Sequence, residues 1–364
     1  MSWSNILFLI ASSFALLLQA GCRPADPGPT EEYQAAEPAA TGVKRAEDLV
    51  RLPGTNWIVA SSMRGADGEP GALYALDASG ASRPVKLYPS EPGADELDRA
   101  RFRDRPGPPD AKSFCPHGLN VRPLNETDIE LYVVNHGGRE SIEFFRVRVN
   151  GPMPRAHWIG CVLLPDHAFG NGVAPLPDGG LVVTNMYDPS DRSFMSKFAA
   201  GRPTGGVLRW EPAAGWSQAV SHLLSGANGV EVTPDGDSIF VSEWAARRLW
   251  SFSLTDKSAA RSIDLEFLPD NLRWTERGTL LLAGQDARPE EVFGCEGRHA
   301  PCPLGFTVAE VVPERLSSRV LVRGGDGSFG GATGALLVGS DLWVGSFRGD
   351  IVGRFIPAAR KEGR

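Results

Sequence analysis

The stretch Gly226 to Phe252, GANGVEVTPDGDSIFVSEWAARRLWSF, decides how the rest of the chain is read. Asn228-Gly229 opens it, Val230 and Val232 alternate with polar neighbours, Pro234-Asp235-Gly236 turns the chain, and Ile239-Phe240-Val241 carries it back. Period-two alternation on both sides of a Pro/Asp/Gly turn predicts an antiparallel β-hairpin. Arg248 to Phe252 alternates again, so the unit predicts three or four antiparallel strands. The side-chain amide of Asn228 stands where the first of them begins.

The same unit recurs. Asn171-Gly172-Val173 leads through Pro177-Asp178-Gly179 to Val182-Val183-Thr184-Asn185, and His117-Gly118-Leu119 leads to Leu131-Tyr132-Val133-Val134-Asn135-His136. Glu47-Asp48-Leu49 returns as Trp57-Ile58-Val59, Asp270-Asn271-Leu272 as Leu280-Leu281-Leu282, and Thr333-Gly334-Ala335 as Leu342-Trp343-Val344. Six multi-strand repeats, with starts spaced from 43 residues (228 to 271) to 70 residues (47 to 117), predict an all-β, six-bladed β-propeller.

In a propeller the innermost strand of each blade lines the central channel, so the first residues of the repeats converge on one mouth. Here they are Glu47, His117, Asn171, Asn228, Asp270 with Asn271, and Thr333, most of them oxygen donors. Ca²⁺ takes about six to eight oxygens. Two carboxylates and three amides nearly neutralise it, whereas the same carboxylates buried together without a cation are costly. The mouth is a candidate calcium site.

These residues carry a family resemblance. Glu47-Asp48-Leu49, Pro116-His117-Gly118-Leu119, Leu131 to His136, Gly170-Asn171, Ala227-Asn228-Gly229-Val230 with Pro234-Asp235-Gly236, and Asp270-Asn271-Leu272 resemble, in order, the motifs of the paraoxonase/arylesterase family. That family sits among the gluconolactonase, senescence-marker and luciferin-regenerating propellers, and the resemblance spans about residues 43 to 356. It implies calcium in the channel held by Glu47, Asn171, Asn228, Asp270 and Asn271, and a histidine dyad of His117 and His136. It also implies a second, structural calcium on Asp48 and the Leu119 carbonyl, but Gly172 stands where the family has an Asp. The family's disulfide between the chain ends has no counterpart, since the last cysteine is Cys302.

The remainder is consistent with an exported domain. Among 364 residues, 42 Gly and 29 Pro suit many tight turns, and 42% apolar content suffices for a core. A net charge of −7 without a Lys/Arg run argues against nucleic acid as partner. Ile6 to Leu18 is an apolar run of signal-peptide length, followed by Gln19-Ala20-Gly21-Cys22, which resembles a lipoprotein processing site. The expectation is a signal segment over 1–22, a periplasmic or cell-envelope location, and membrane contact only through a lipid on Cys22 or an N-terminal anchor. Residues 23–42, rich in Pro, Ala and Glu, predict a flexible tether ahead of a propeller domain over 43–364. Glu91 to Lys112 is an insertion that can roof the channel mouth or lie as a solvated loop. Cys295 and Cys302 are the expected disulfide pair, and Cys115 is either a nucleophile or a buried inert thiol.

Taken together, the candidate calcium site and the resemblance imply a calcium-dependent esterase or lactonase acting on a small-molecule ester or lactone. In that reading His117 takes a proton from water with His136 as its partner. Trp57, Phe169, Trp244, Trp274 and Phe347 are candidates for an apolar wall. Two alternatives remain: a non-catalytic propeller that binds a partner, and a strictosidine-synthase-like propeller lacking the full calcium set. Nothing in the residues sets the oligomeric state.

Overall fold

Each of the six repeats folds as one antiparallel sheet whose strands pair in chain order. The computed structural model describes residues 33–36, 40–65, 67–80, 82–90, 95–102, 106–256, 258–295, 303–325 and 329–358. The signal segment, Cys22 and Cys302 lie outside them. The blades are Ala46–Arg51, Trp57–Ser62, Ala72–Asp77, Val85–Tyr88; Pro116–Pro123, Asp128–Asn135, Ser141–Arg148, Arg155–Leu163; and Gly170–Pro175, Leu181–Asn185, Gly206–Glu211, Gly215–Gln218. They continue with Ala227–Val232, Ser238–Glu243, Arg248–Ser253, Ala260–Asp264; then Leu268–Trp274, Leu280–Asp286, Gly305–Val312, Ser317–Gly324; and finally Ala332–Val338, Asp341–Ser346, Ile351–Pro357. The first strand of each blade touches the first strand of the next, and the sixth touches the first. This is the expected six-bladed propeller. Gly179 and Gly236 take φ of 87° and 80° in the Pro-Asp-Gly turns, a backbone state that Gly adopts without strain.

Apolar faces of adjacent blades interdigitate. Between the first two, Leu73, Phe114, Leu131, Phe145 and Trp158 form one buried cluster, and the Trp158 indole donates to Glu143 at 2.8 Å. The described part of the insertion joins this outer packing. The amides of Glu96 and Asp98 donate to the Trp158 and Ile159 carbonyls, and Phe102 packs on Phe144 at 4.8 Å. It covers an outer edge of the second blade, because its two large apolar residues, Leu97 and Phe102, pack against the clusters there, and none of its described residues lines the channel mouth.

The sixth blade corrects the expected tether. Tyr33–Ala35 pairs with Phe355 to Pro357 and Ala40–Thr41 with Ile351 and Val352, so residues from the start of the chain complete the last sheet. Tyr33 also packs against the Phe306, Phe355 cluster. Composition hid this because an edge strand held by backbone hydrogen bonds needs few apolar side chains. No helix among the described residues is long and apolar enough to cross a membrane.

A chain beginning at Val43 loses these pairings, and its thermal midpoint is expected to fall by about 4–8 °C, roughly 2 kcal/mol, below that of a chain beginning at Tyr33. Equal melting of the two in calorimetry would show that the N-terminal strand closes nothing.

Candidate functional site

A repeated backbone irregularity builds the site. In all six innermost strands the pairing with the next strand slips once: between Ala46 and Asp48, Pro116 and Leu119, Gly170 and Val173, Ala227 and Val230, Pro269 and Leu272, and Ala332 and Ala335. Such a bulge breaks alternation and re-aims side chains. The residues caught in it include Glu47, His117, Asn171, Asn228, Asp270, Asn271 and Thr333. The Gly after Asn171 and after Asn228 is required by close packing: a Cβ on Gly172 would meet the Asn228 carbonyl oxygen at 2.8 Å, and one on Gly229 the Asp270 carbonyl oxygen at 2.5 Å. Here Asn-Gly marks a bulge packed on its neighbour.

Glu47, His117, His136, Asn171, Asn228, Asp270 and Thr333 all line one cavity of about 120 Å³. Each of the first six aims a buried atom with no hydrogen-bond partner: Glu47 Oε2, Asn171 Oδ1, Asn228 Oδ1, Asp270 Oδ1, His117 Nδ1 and His136 Nε2. The opposite edges are held. Asn271 Nδ2 donates to Glu47 Oε1 at 2.8 Å, and Gln285 Nε2 donates to Asp270 Oδ2 at 2.7 Å. Asn271 therefore stands behind Glu47, outside the cavity lining. Gln285 is fixed in turn by the Trp244 indole at 2.8 Å and by the Ala332 carbonyl at 2.7 Å.

An unpaired buried polar atom costs about 1–3 kcal/mol. Four such oxygens together consume a large part of the roughly 5–15 kcal/mol that separates folded from unfolded chains. Convergent bare oxygens from carboxylates and amides fit a hard cation such as Ca²⁺. No group of three or more His, Cys, Asp or Glu side chains is arranged to hold a metal among the described residues; the donor set here is mixed, with amides supplying half of the bare oxygens. Electrostatics agree. Burial, then the charges of Asp48 and Asp270, push the Glu47 carboxyl well above its ordinary range. Burial pushes Asp270 up to about 7, with Asp48 adding to it and the Gln285 hydrogen bond opposing.

The two histidine rings meet edge to face, centroids 4.9 Å apart, and His117 Nδ1 lies 3.5 Å from Glu47 Oε2. His136 stacks flat on Phe169 at 4.1 Å, and its Nδ1 is 2.9 Å from Glu140 Oε2. A carboxylate only accepts, so Nδ1 donates to Glu140, and Nε2 is left buried and without a partner, facing the cavity. Burial, then His136, hold His117 well below the ordinary histidine range, although a hydrogen bond with the Asn171 backbone opposes this. Burial therefore favours the neutral form of His117.

Three of the five expected wall aromatics, Phe169, Trp244 and Phe347, line the cavity. Trp57 and Trp274 lie elsewhere: Trp274 ends the innermost strand whose bulge carries Asp270, so it faces the opposite mouth and donates to the Val232 carbonyl at 2.8 Å. Trp57 pairs at that same far end and packs in the core between the first two blades. Tyr187 and Phe293 complete the wall, with Phe293 on the short helix Pro289–Gly294 beside a second, Phe194–Ala199. Cys115 does not line the cavity, and burial pushes its thiol up, away from the reactive thiolate form. Cys295, after the first of these helices, is disulfide-bonded, and the expected partner Cys302 lies outside the described residues.

Asp48 and Leu119, expected to hold a second calcium, do not fit that role. The Asp48 carboxylate accepts from the Leu49 and Leu119 amides at 2.8 and 2.7 Å and pairs with the Arg273 guanidinium. Arg273 Nη2 also donates to the Leu119 carbonyl at 2.6 Å. A cation already stands between the two, as a side chain.

This is a propeller with a carboxylate, amide and histidine site at one end of its channel. No family model matches the chain. Human serum paraoxonase/arylesterase 2 is 21% identical over 282 residues, covering 75% of this chain and 76% of that protein. Human serum paraoxonase/arylesterase 1 is 21% identical over 214 residues, 56% of this chain and 58% of its own length. A solved luciferin-regenerating enzyme superposes with a TM-score of 0.52 at 12% identity, over 88% of this chain and 93% of its own, a likeness of fold. The resemblance read from the motifs is thereby borne out: in sequence the chain is similar to the paraoxonase/arylesterases.

Protonation and cation binding compete for the same oxygens. A carboxyl whose pKa is raised by folding favours the folded state below its unfolded value and loses that contribution as pH climbs through the folded value. For Asp270 that window runs from the ordinary 3.8 to about 7. In calcium-free buffer the thermal midpoint is expected to fall across this window, and the rise produced by added calcium to grow across it. A calcium effect of equal size at both ends, read by differential scanning fluorimetry, would count against the assignment of Glu47 and Asp270.

Proposed function

We propose that the protein is a calcium-dependent hydrolase of lactones and aryl esters. The observation that carries the reading is the set of bare buried atoms, four oxygens and two ring nitrogens, aimed into one cavity from the innermost strands of five blades and the end of one second strand. A scaffold surface has no use for both kinds. The arylesterase activity in the names of the two human relatives supports the ester class. Glu47, Asn171, Asn228 and Asp270 would hold the ion, with Asn271 fixing Glu47 and Gln285 fixing Asp270. Bound there, Ca²⁺ would supply Lewis-acid polarisation of the substrate carbonyl and stabilise the developing negative charge on its oxygen.

The chain's own residues do the rest. His117, neutral because it is buried, accepts the proton of the attacking water. His136, its proton fixed on Nδ1 by Glu140, offers Nε2 as the partner that receives or returns that proton. Phe169, Tyr187, Trp244, Phe293 and Phe347 give the acyl or aryl portion of a substrate an apolar wall and exclude water around the scissile bond. Among the described residues no Lys or Arg lines the cavity, and this supports an uncharged ester or lactone.

The first test is hydrolysis of phenyl acetate and of a δ-lactone, with calcium and then with excess EGTA: activity is expected to vanish on chelation and return with calcium. Calcium binding without hydrolysis across such a panel would favour a non-catalytic binding propeller. His117→Gln is expected to lower turnover by about 10²–10⁴-fold with calcium affinity nearly unchanged. Glu140→Gln should cost less in turnover and nothing in calcium binding. Asn228→Ala and Asp270→Ala should lose both. Equal loss of metal in all four, measured by titration calorimetry, would sink this division of roles.

A further inference from the structure

We propose that the guanidinium of Arg273 does the work of a second metal ion, a fixed internal cation tying four blades around the channel. It is nearly fully buried and spends every donor. Nε reaches the Leu49 carbonyl at 3.0 Å, Nη1 reaches the Leu272 carbonyl at 2.7 Å and Glu231 at 3.2 Å, and Nη2 reaches the Leu119 carbonyl at 2.6 Å and the Asp48 carboxylate. Three carbonyls and two carboxylates around one positive centre form the oxygen shell that a hard cation would otherwise collect. The ligands come from the first blade (Asp48, Leu49), the second (Leu119), the fourth (Glu231) and the fifth, which carries Arg273 itself.

The neighbourhood leaves little room for an added ion. In the third blade the position nearest in register, Gly172, cannot bear a side chain, since its Cβ would meet the Asn228 carbonyl oxygen at 2.8 Å and the Val230 nitrogen at 3.0 Å. The layer also has a position: Glu47 and Asp270 line the mouth cavity, whereas Glu231 and Arg273 line the separate cavity of about 710 Å³ at the opposite mouth. Arg273 therefore stands immediately beneath the residues of the proposed calcium site, and Asp48, which it holds, adjoins Glu47 in the chain. An arginine cannot be chelated, so the bulge that presents Glu47 is held in place whether or not the upper site is loaded. The proposal rests on this cross-channel shell and is independent of hydrolysis.

Two measurements on the full chain test it. After equilibration with calcium and removal of excess by gel filtration, elemental mass spectrometry is expected to find no more than one calcium per chain, and circular dichroism in EDTA to show the native sheet spectrum. Arg273→Met is expected to melt well below its parent in EDTA, to bind one calcium more than the parent, and to regain much of its midpoint in millimolar calcium. Two calcium ions in the parent overturn the proposal. So does a variant that melts like the parent in EDTA, or one that melts lower with no recovery in calcium. If the variant does not fold, the parent's count decides alone. A parent count of zero would remove calcium from the channel mouth and with it the hydrolytic reading, while supporting Arg273 as the channel's only bound cation.

Discussion

Like charges crowded at the channel axis are the constraint on which the structure turns. Glu47, Asp48, Glu231 and Asp270 are all buried near one another on the innermost strands, against the buried guanidinium of Arg273. Breaking a buried pair such as Arg273 with Asp48 by removing one member typically costs about 3–5 kcal/mol. Arg273 answers the lower two of the four, Asp48 and Glu231. Glu47 and Asp270 are left facing the cavity with one bare oxygen each, and burial, with the neighbouring carboxylates adding to it, raises the pKa of both.

That division makes two layers along one axis with different physical characters. The lower is closed: every Arg273 donor has an acceptor, and the Asp48 oxygens are spoken for. The upper is open, held from behind by Asn271 and Gln285 so that the bare atoms point inward. A site whose ligands are oriented by neighbours that never touch the ligand needs little rearrangement on binding. The histidines follow the same rule, since Glu140 and the face of Phe169 orient His136.

The fold serves this arrangement through repetition. One bulge, used six times, turns the opening residues of each blade toward the axis, and the glycines at Gly172 and Gly229 let neighbouring backbones close around it. Closure of the ring is handled at the opposite end of the blade, where Tyr33–Ala35 adds the outer strand of the sixth sheet.

By itself the sequence determined the six-fold repeat, the strand and turn pattern within each blade, and the identity of the residues that open each repeat, because period-two alternation and Pro-Asp-Gly turns are local properties. Position in the repeat was enough to single out Glu47, His117, Asn171, Asn228 and Asp270. Only the tertiary structure decided which of their atoms are bare, since that depends on partners far away in the chain: Asn271 on Glu47, Gln285 on Asp270. Glu140 behind His136 had a weak local signal, an acid four residues on, whereas Gln285 at the end of an apolar strand had none. The pairing of Tyr33–Ala35 was invisible because edge pairing is made by backbone. Arg273, next to Trp274, was legible as a charge in a strand; that it fills the shell between Asp48 and Leu119 is set by packing across the channel, which no local pattern encodes.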